Sequence, residues 1–522
     1  MLSCFAASLL LLGACAGPGG PDPQDPRPTL VVLITVDQMR ADYLTRWRGQ
    51  FTGGFKRLLE EGAVFTDAHQ DHAITETAPG HATLLAGRFP RSTGITRNAA
   101  GVQDPRSPLI GAAGAGASPH RFRGTTLVDW LLSMDPRSRA LSVSYKDRGA
   151  ILPVGRSRQE VYWYAGSVFT TSRWYRDSLP DWVKFFNATG PTSYAGREWD
   201  LLLTGEEYPE PDSVPLEQRG DLPFVFPYEL SSAPEVAARQ VPGFPFMDEL
   251  TAAFALRGTE ALAIGAGPQT DVLAISFSAT DLIGHRFGPD SRELHDQVLR
   301  LDRTLGAFLD SLFKIRDRNR VVLALTADHG VAPWPELNQG RITPEPMRVD
   351  ILPAVEAAAQ VVREAGGKPG AIDLESGALL VVRDSVGVSS GRLREAVDSF
   401  VATARRIPGV LRAERFADLA RDPARQDAVA RRWVQMLGSD VPVEAVVTLT
   451  PGSYWKQYPV AMHGTPHDYD SHVPLIFWGR PFQPGSYAGF VRTVDLAPTL
   501  AQVADVKPTE RIDGRPLTDA IR

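Results

Sequence analysis

Apolar runs recur along the chain at residues 30–36, 140–145, 272–277, 321–326 and 473–478, each bounded by turn or polar residues. Runs of four to eight residues that are apolar at almost every position fit strands buried on both faces. Between them the apolar spacing becomes helical, as at residues 54–61 (GFKRLLEE), 294–312 and 493–503. The alternation predicts an α/β fold, with a mostly parallel central sheet flanked by helices on both faces. Two segments break the rhythm. Residues near 150–240 are rich in aromatics and proline and predict an irregular crown over one edge of the sheet. Residues 340–450 carry their own helix and strand alternation and read as an inserted small α/β subdomain. The main domain is then discontinuous, 30–335 and 455–522, because the last strand of the sheet arrives only after the insert.

Composition narrows what such a fold serves. The 522 residues are 43% hydrophobic and 22% charged, which excludes a disordered chain, a collagen-like repeat and a polytopic membrane protein. Lys and Arg number 55 against 61 Asp and Glu, so no basic excess tracks a phosphate backbone and nucleic acid is not expected as a specific partner. The apolar stretch at 5–13 is too short to span a bilayer and reads as the core of a signal peptide. It runs into Leu12-Gly13-Ala14-Cys15, which resembles a bacterial lipoprotein signal. The expectation is a signal peptide at 1–14, a lipid-modified Cys15, a flexible tether over 15–29, and an exported protein, periplasmic or membrane-anchored through that lipid; the alternative is a plain signal peptide cut near Ala16. Cys4 and Cys15 are the only cysteines, so the mature chain forms no disulfide and offers no thiol nucleophile.

Acids and histidines fall at the carboxyl ends of the strand runs. Asp37 follows LVVLITV, Asp281 and His285 follow LAISFSAT, and Asp328 and His329 follow VVLALTA. In open α/β sheets the ligand crevice lies at those ends, so residues spread from position 37 to 329 converge there. Asp281 and His285 are four apart and share a face if the segment is a helical turn. His463 lies just before the last strand and is placed to join them. Three Asp and three His form an oxygen and nitrogen donor set suited to zinc, and six ligands fit two tetrahedral ions with positions left for nucleophile and substrate.

The segments VDQMRADYL, TETAPGHATLLAG with GITRN downstream, TDLIGHRFGPDS, TADHG and HGTPHDYDSHVPLIFWG occur in this order. They resemble the alkaline phosphatase superfamily, in the branch with a threonine nucleophile, over about residues 30–165 and 270–522. The resemblance implies a three-layer alkaline-phosphatase-like sandwich. It implies one zinc held by Asp37, Asp328 and His329 and a second held by Asp281, His285 and His463. It makes Thr77 the nucleophile and a zinc contact, with Thr75 as the nearby competitor. A threonine hydroxyl is a weak nucleophile at neutral pH and needs a Lewis acid beside it. The following PGHATLLAG reads as a helix, which brings Thr77 to an N-terminus whose amides favour an anion. His81 in that helix reads as a packing residue or as one that supports the ligands from behind, not as a ligand itself.

Asn98 and the pair Lys146 and Arg148 decide the branch. Phosphate-irrepressible alkaline phosphatases carry an Asn with a Lys-x-Arg pair on the non-bridging phosphoryl oxygens, so the resemblance assigns these three residues to phosphate binding. A monoester dianion has three free oxygens to neutralise and a diester two, so two extra cations favour the monoester. A sulfatase would need Cys or Ser in a C/S-x-P-x-R motif, which TETAPGHAT lacks. The serine enzymes with a third, magnesium site lack the Lys-x-Arg pair, so two Zn2+ and no Mg2+ are expected. His467 and His472, close to His463, read as structural or as supports behind the ligands. The expected function is hydrolysis of small phosphomonoesters through a phosphothreonine intermediate. The alternatives are a phosphodiesterase or nucleotide pyrophosphatase of the same fold, and a catalytically silent lipoprotein binding ligands through Trp163, Trp174 and Trp182.

Overall fold

The computed structural model describes residues 27–522 other than 221–222, 422–426 and 439. The expected signal peptide, Cys15 and most of the tether lie outside the described residues.

The central sheet is built from β1 (Leu30–Val36), β2 (Ala63–Phe65), β3 (Ala140–Ser144), β4 (Glu160–Ala165), β5 (Val168–Thr170), β6 (Asp271–Phe277), β7 (Val321–Thr326), β8 (Leu475–Trp478) and β9 (Gly485–Tyr487). Their spatial order is β9-β2-β8-β7-β1-β6-β3-β4-β5. The middle five, β7-β1-β6-β3-β4, are parallel, with Leu30 level with both Val321 and Asp271. Every residue of β1, β6 and β7 is buried. The reason is the two-residue period of a strand: Leu30, Val32, Ile34 and Val36 enter one hydrophobic core, while Val31 and Leu33 enter another on the opposite face. The sheet is therefore the middle of three layers, and its apolar runs feed both outer interfaces.

Two details differ from the sequence reading. β8 pairs antiparallel with β7, and it starts at Leu475 rather than 473 because Pro474 has no N–H to give the ladder. β2 and β9, each only a few residues long, complete that edge. At the other edge, β4 and β5 form an antiparallel hairpin, so part of the crown segment belongs to the sheet itself. Of its tryptophans, Trp163 is buried, Trp182 is half-buried with its ring 4.9 Å from Phe254, and Trp174 lies under the Arg158 guanidinium.

A second sheet lies within 340–450. Its strands Ile372–Glu375, Leu379–Val382, Val443–Leu449 and Val410–Arg415 are antiparallel in that spatial order. The helices Leu352–Glu364 and Ser390–Ala404 pack with it around a separate core containing Phe400 and Trp433. Ala73 and Ile74, just upstream of Thr77, are buried in this second core. The segment leading to the threonine is thus gripped by the second sheet.

Candidate active site

Four adjacent parallel strands deliver the chemistry. Asp37 follows β1, Asp328 and His329 follow β7, Lys146 follows β3, and Asp281 and His285 lie on the helix α1 (Ala279–Phe287) that follows β6. The carboxyl ends of β7, β1, β6 and β3 are side by side, which is why residues far apart in the chain meet. His463 reaches the same place from the loop before β8. Asp37, Asp328 and His329 form one group whose ligand atoms all lie within 4.8 Å of one another, and Asp281, His285 and His463 form a second.

The three histidines share one hydrogen-bonding pattern. Nδ1 of His285 lies 2.5 Å from the Ala461 carbonyl, Nδ1 of His329 lies 2.9 Å from that of Gly330, and Nδ1 of His463 lies 2.8 Å from that of Thr75. A carbonyl only accepts, so each Nδ1 carries the proton and each Nε2 keeps its lone pair. Those Nε2 atoms point at carboxylates, His285 at Asp281 (3.3 Å) and His329 at Asp37 and Asp328 (3.5 Å each). This is the second-sphere arrangement that fixes an imidazole as a metal ligand. Asp37 Oδ1 is buried and accepts no hydrogen bond, as a carboxylate oxygen reserved for a cation does. The donor set therefore fits two zinc ions.

Burial and neighbouring charges act differently on the members of the two groups, raising Asp37 and His285 and lowering Asp281, His329 and His463. Burial, with the charges of Asp281 and Asp328, pushes the Asp37 carboxyl well above its ordinary range. Burial acts on Asp281 as well, but the Lys146 ammonium and the neighbouring His285 ring outweigh it and hold Asp281 well below. Burial lowers His329 and, reinforced by the other two imidazoles, lowers His463 further, which keeps both neutral and able to donate a lone pair.

Thr77 opens the helix Thr77–Leu84. Thr77 is its first residue, and its Oγ1 lies 3.4 Å from His329 Nε2 and 3.4 Å from Lys146 Nζ. Lys146 Nζ lies 2.6 Å from both Asp37 Oδ2 and Asp281 Oδ2, so one buried ammonium ties the two carboxylate groups together beside the hydroxyl. Burial would discharge it, but Asp281 and Asp37 keep its pKa raised. Asn98 Oδ1 accepts the Ala78 amide at 2.8 Å, which leaves its Nδ2 as the free donor. The same bond limits the helix-terminus expectation: Ala78 spends its N–H on Asn98, Pro79 has none, and Gly80 donates to Glu76. Arg148 stands two residues beyond Lys146, partly exposed and 3.6 Å from Asp147. Thr75 turns its hydroxyl to the Thr465 carbonyl, away from this role.

Two residues at the site escaped the sequence reading. Gln38 takes a left-handed backbone (φ 66°) and donates its N–H to Asp328 Oδ1 and its Nε2 to Asp281 Oδ1, joining the two groups. A Cβ on Gly284 would lie 2.1 Å from Gln38 Oε1, so the glycine makes room for it. Glu76 accepts the Asn98 N–H at 2.6 Å. The signal for both was adjacency to Asp37 and Thr77. His81 lies behind the ligands, bonded to Thr77 O and Ser276 Oγ with its Nδ1 3.1 Å from Asp328 Oδ2. His467 bonds the Leu449 carbonyl.

Asp67, His69 and His472 form a third cluster. Arg432 Nη2 lies 3.1 Å from His69 Nδ1 and Asp67 lies 2.8 Å from its Nε2, so the ring passes a hydrogen bond from the arginine to the carboxylate. His472 Nε2 lies 2.9 Å from the Thr66 carbonyl. These contacts satisfy the group without an ion.

A cavity of about 350 Å³ opens over the site, lined by Asn98, His285 and His463 on one side and by Ser376, Trp455 and Tyr458 on the other. The sequence model of the family described as type I phosphodiesterase / nucleotide pyrophosphatase matches residues 31–345. Alkaline phosphatase PhoK of Sphingomonas sp is 31% identical, over 94% of this chain and 90% of its own. Alkaline phosphatase PafA of Elizabethkingia meningoseptica is 29% identical, over 95% of each chain. The crystal structure of wild-type PafA superposes with a TM-score of 0.86 at 27% identity, covering 95% of this chain and all of that one. A PafA variant solved in the same fold is substituted at a threonine, an asparagine, a lysine and an arginine. The separations of that threonine from the asparagine and of the lysine from the arginine equal those of Thr77 from Asn98 and of Lys146 from Arg148.

Proposed function

The chain belongs to the alkaline phosphatase superfamily, in its PafA-like branch, and from that premise we propose that it is a zinc-dependent phosphomonoesterase working through a phosphothreonine at Thr77. The observation that carries the reading is the Thr77 hydroxyl at a helix start, 3.4 Å from both His329 and the Lys146 ammonium that joins the two Asp/His groups.

Asp37, Asp328 and His329 would hold one zinc, and Asp281, His285 and His463 the other. Zinc held there would supply Lewis acidity for the displacement. Thr77 Oγ1 attacks phosphorus and forms the new P–O bond as the alcohol oxygen departs; water then cleaves the phosphothreonine and releases phosphate. Lys146 favours the deprotonated hydroxyl by its charge. Asn98 Nδ2, Lys146 and Arg148 bind the non-bridging oxygens, and positioning of this kind supplies most of the catalysis in phosphoryl transfer. Two cations beyond the metals favour a dianionic monoester over a diester, which is why the phosphomonoesterase reading is preferred to the phosphodiesterase one. The reading takes the protein to be exported with Cys15 as its lipidated first residue, on the strength of the apolar segment before Leu12-Gly13-Ala14-Cys15. Mass analysis of the mature N-terminus tests that part.

Replacing the nucleophile tests the mechanism. Thr77→Ala is expected to lower kcat by at least about 10³-fold while zinc content stays near two per chain, since six other side chains hold the ions. Near-normal turnover in that variant would remove Thr77 from the mechanism.

A further inference from the structure

Resting on the reading of Asn98 as a phosphoryl-binding residue, we propose that Glu76 and the hairpin tip of the second sheet form a clamp that positions Asn98. The residues 340–450 then act on phosphoryl binding without contributing a metal ligand.

Glu76 uses its two carboxylate oxygens on two different segments. Oε2 accepts the Asn98 backbone N–H at 2.6 Å, and Oε1 accepts the Ser376 hydroxyl at 2.8 Å. The neighbours of these residues are paired as well, because Arg97 forms an ion pair with Glu375. Arg97-Asn98 and Glu375-Ser376 therefore meet as two adjacent pairs, with Glu76 between them. Asn98 is held at both ends, its N–H by Glu76 and its Oδ1 by the Ala78 amide. The side-chain Nδ2 is left in one orientation. A donor fixed before substrate arrives spends no free energy on reorganisation during the reaction, which is how such a group gains catalytic value.

The hairpin tip is shaped for this contact. Ala378 N–H closes on the Glu375 carbonyl at 3.1 Å, and both central residues are left-handed, Ser376 at φ 48° and Gly377 at φ 67°. Such turns favour Asn or Gly at the first of these positions. Serine there supplies a hydroxyl where a glycine would relieve the backbone. Gly377 is required for space, since a Cβ would lie 2.5 Å from Trp455 Nε1, and Trp455 lines the cavity beside Asn98. The tip is thus seated against the cavity wall, and Ala73 and Ile74, buried in the second core, hold the chain entering Glu76.

The test uses the full-length, zinc-loaded protein and a double-mutant cycle. The variants are Glu76→Gln, Ser376→Ala, Asn98→Ala and the two doubles containing Asn98→Ala, with kcat/KM on nitrophenyl phosphate and the inhibition constant of inorganic phosphate as readouts. Glu76→Gln is expected to lower kcat/KM and weaken phosphate binding about tenfold, with a smaller loss for Ser376→Ala. In the Asn98→Ala background both losses should disappear, because the clamp then has nothing to position. If Asn98→Ala is itself costly and the other losses add to it in full, Glu76 and Ser376 act independently of Asn98 and the proposal is wrong. If Asn98→Ala costs nothing, the reading of Asn98 fails and takes the clamp with it. If Glu76→Gln does not fold, the Ser376→Ala half of the cycle decides by the same comparison.

Discussion

Lys146 bears more of the site than any other single side chain. It is buried, 2.6 Å from a carboxylate of each Asp/His group and 3.4 Å from the Thr77 hydroxyl. Lys146→Ala should lower monoester kcat/KM by about 10²- to 10³-fold, measured by steady-state kinetics at saturating zinc, and Arg148→Ala should cost less because Arg148 is partly exposed. Equal and small losses in both variants would return Lys146 to a structural role. Asp37, Asp281 and Asp328 were legible in the sequence because each ends an apolar run, where burying an acid demands a partner. Gln38 was not legible, since its place depends on a left-handed backbone and on the space left by Gly284, neither of which a residue pattern encodes. The direction of Asn98, with its carbonyl oxygen spent on Ala78, was likewise a matter of three-dimensional contact.

The helix Thr77–Leu84 sits hard against the end of β7. A Cβ on Gly80 would lie 2.2 Å from the Asp328 carbonyl oxygen, so helix and strand touch through backbone. Alanine is the better helix former by about 1 kcal/mol, yet Gly80→Ala should destabilise the protein by roughly 1–3 kcal/mol through overpacking and displace Thr77 from His329. Thermal unfolding and kcat/KM together check this, and a stabilised, fully active variant would contradict the close approach. Among the elements, the long apolar strands were readable because burial on both faces writes itself into every residue. The antiparallel direction of β8 was not, because alternation carries no polarity. β2 and β9 are too short to give a pattern at all.

At the scale of the molecule, two sheets enclose one cavity, the parallel sheet supplying the ligands and the antiparallel one a wall. The sequence marked residues 340–450 as a separate alternation, but not the side on which they close the site, because that depends on packing across the two cores. Away from the cavity, burial and the charges of Glu293 and Asp212 push the Glu217 carboxyl up from its ordinary 4.5 to about 9. The folded protein then keeps a proton that the unfolded chain releases, so stability falls as pH rises between roughly 5 and 9, by at most about 1.4 kcal/mol per pH unit. Glu217→Gln should flatten the fall in Tm over that range, and an unchanged pH profile would show that Glu217 ionises normally. The most direct test of the account is kcat/KM of the zinc-loaded protein on a nitrophenyl phosphate monoester and on the matching diester under one set of conditions. The site described here predicts a monoester preference of about 10²-fold or more; equal rates, or a preference for the diester, would contradict it.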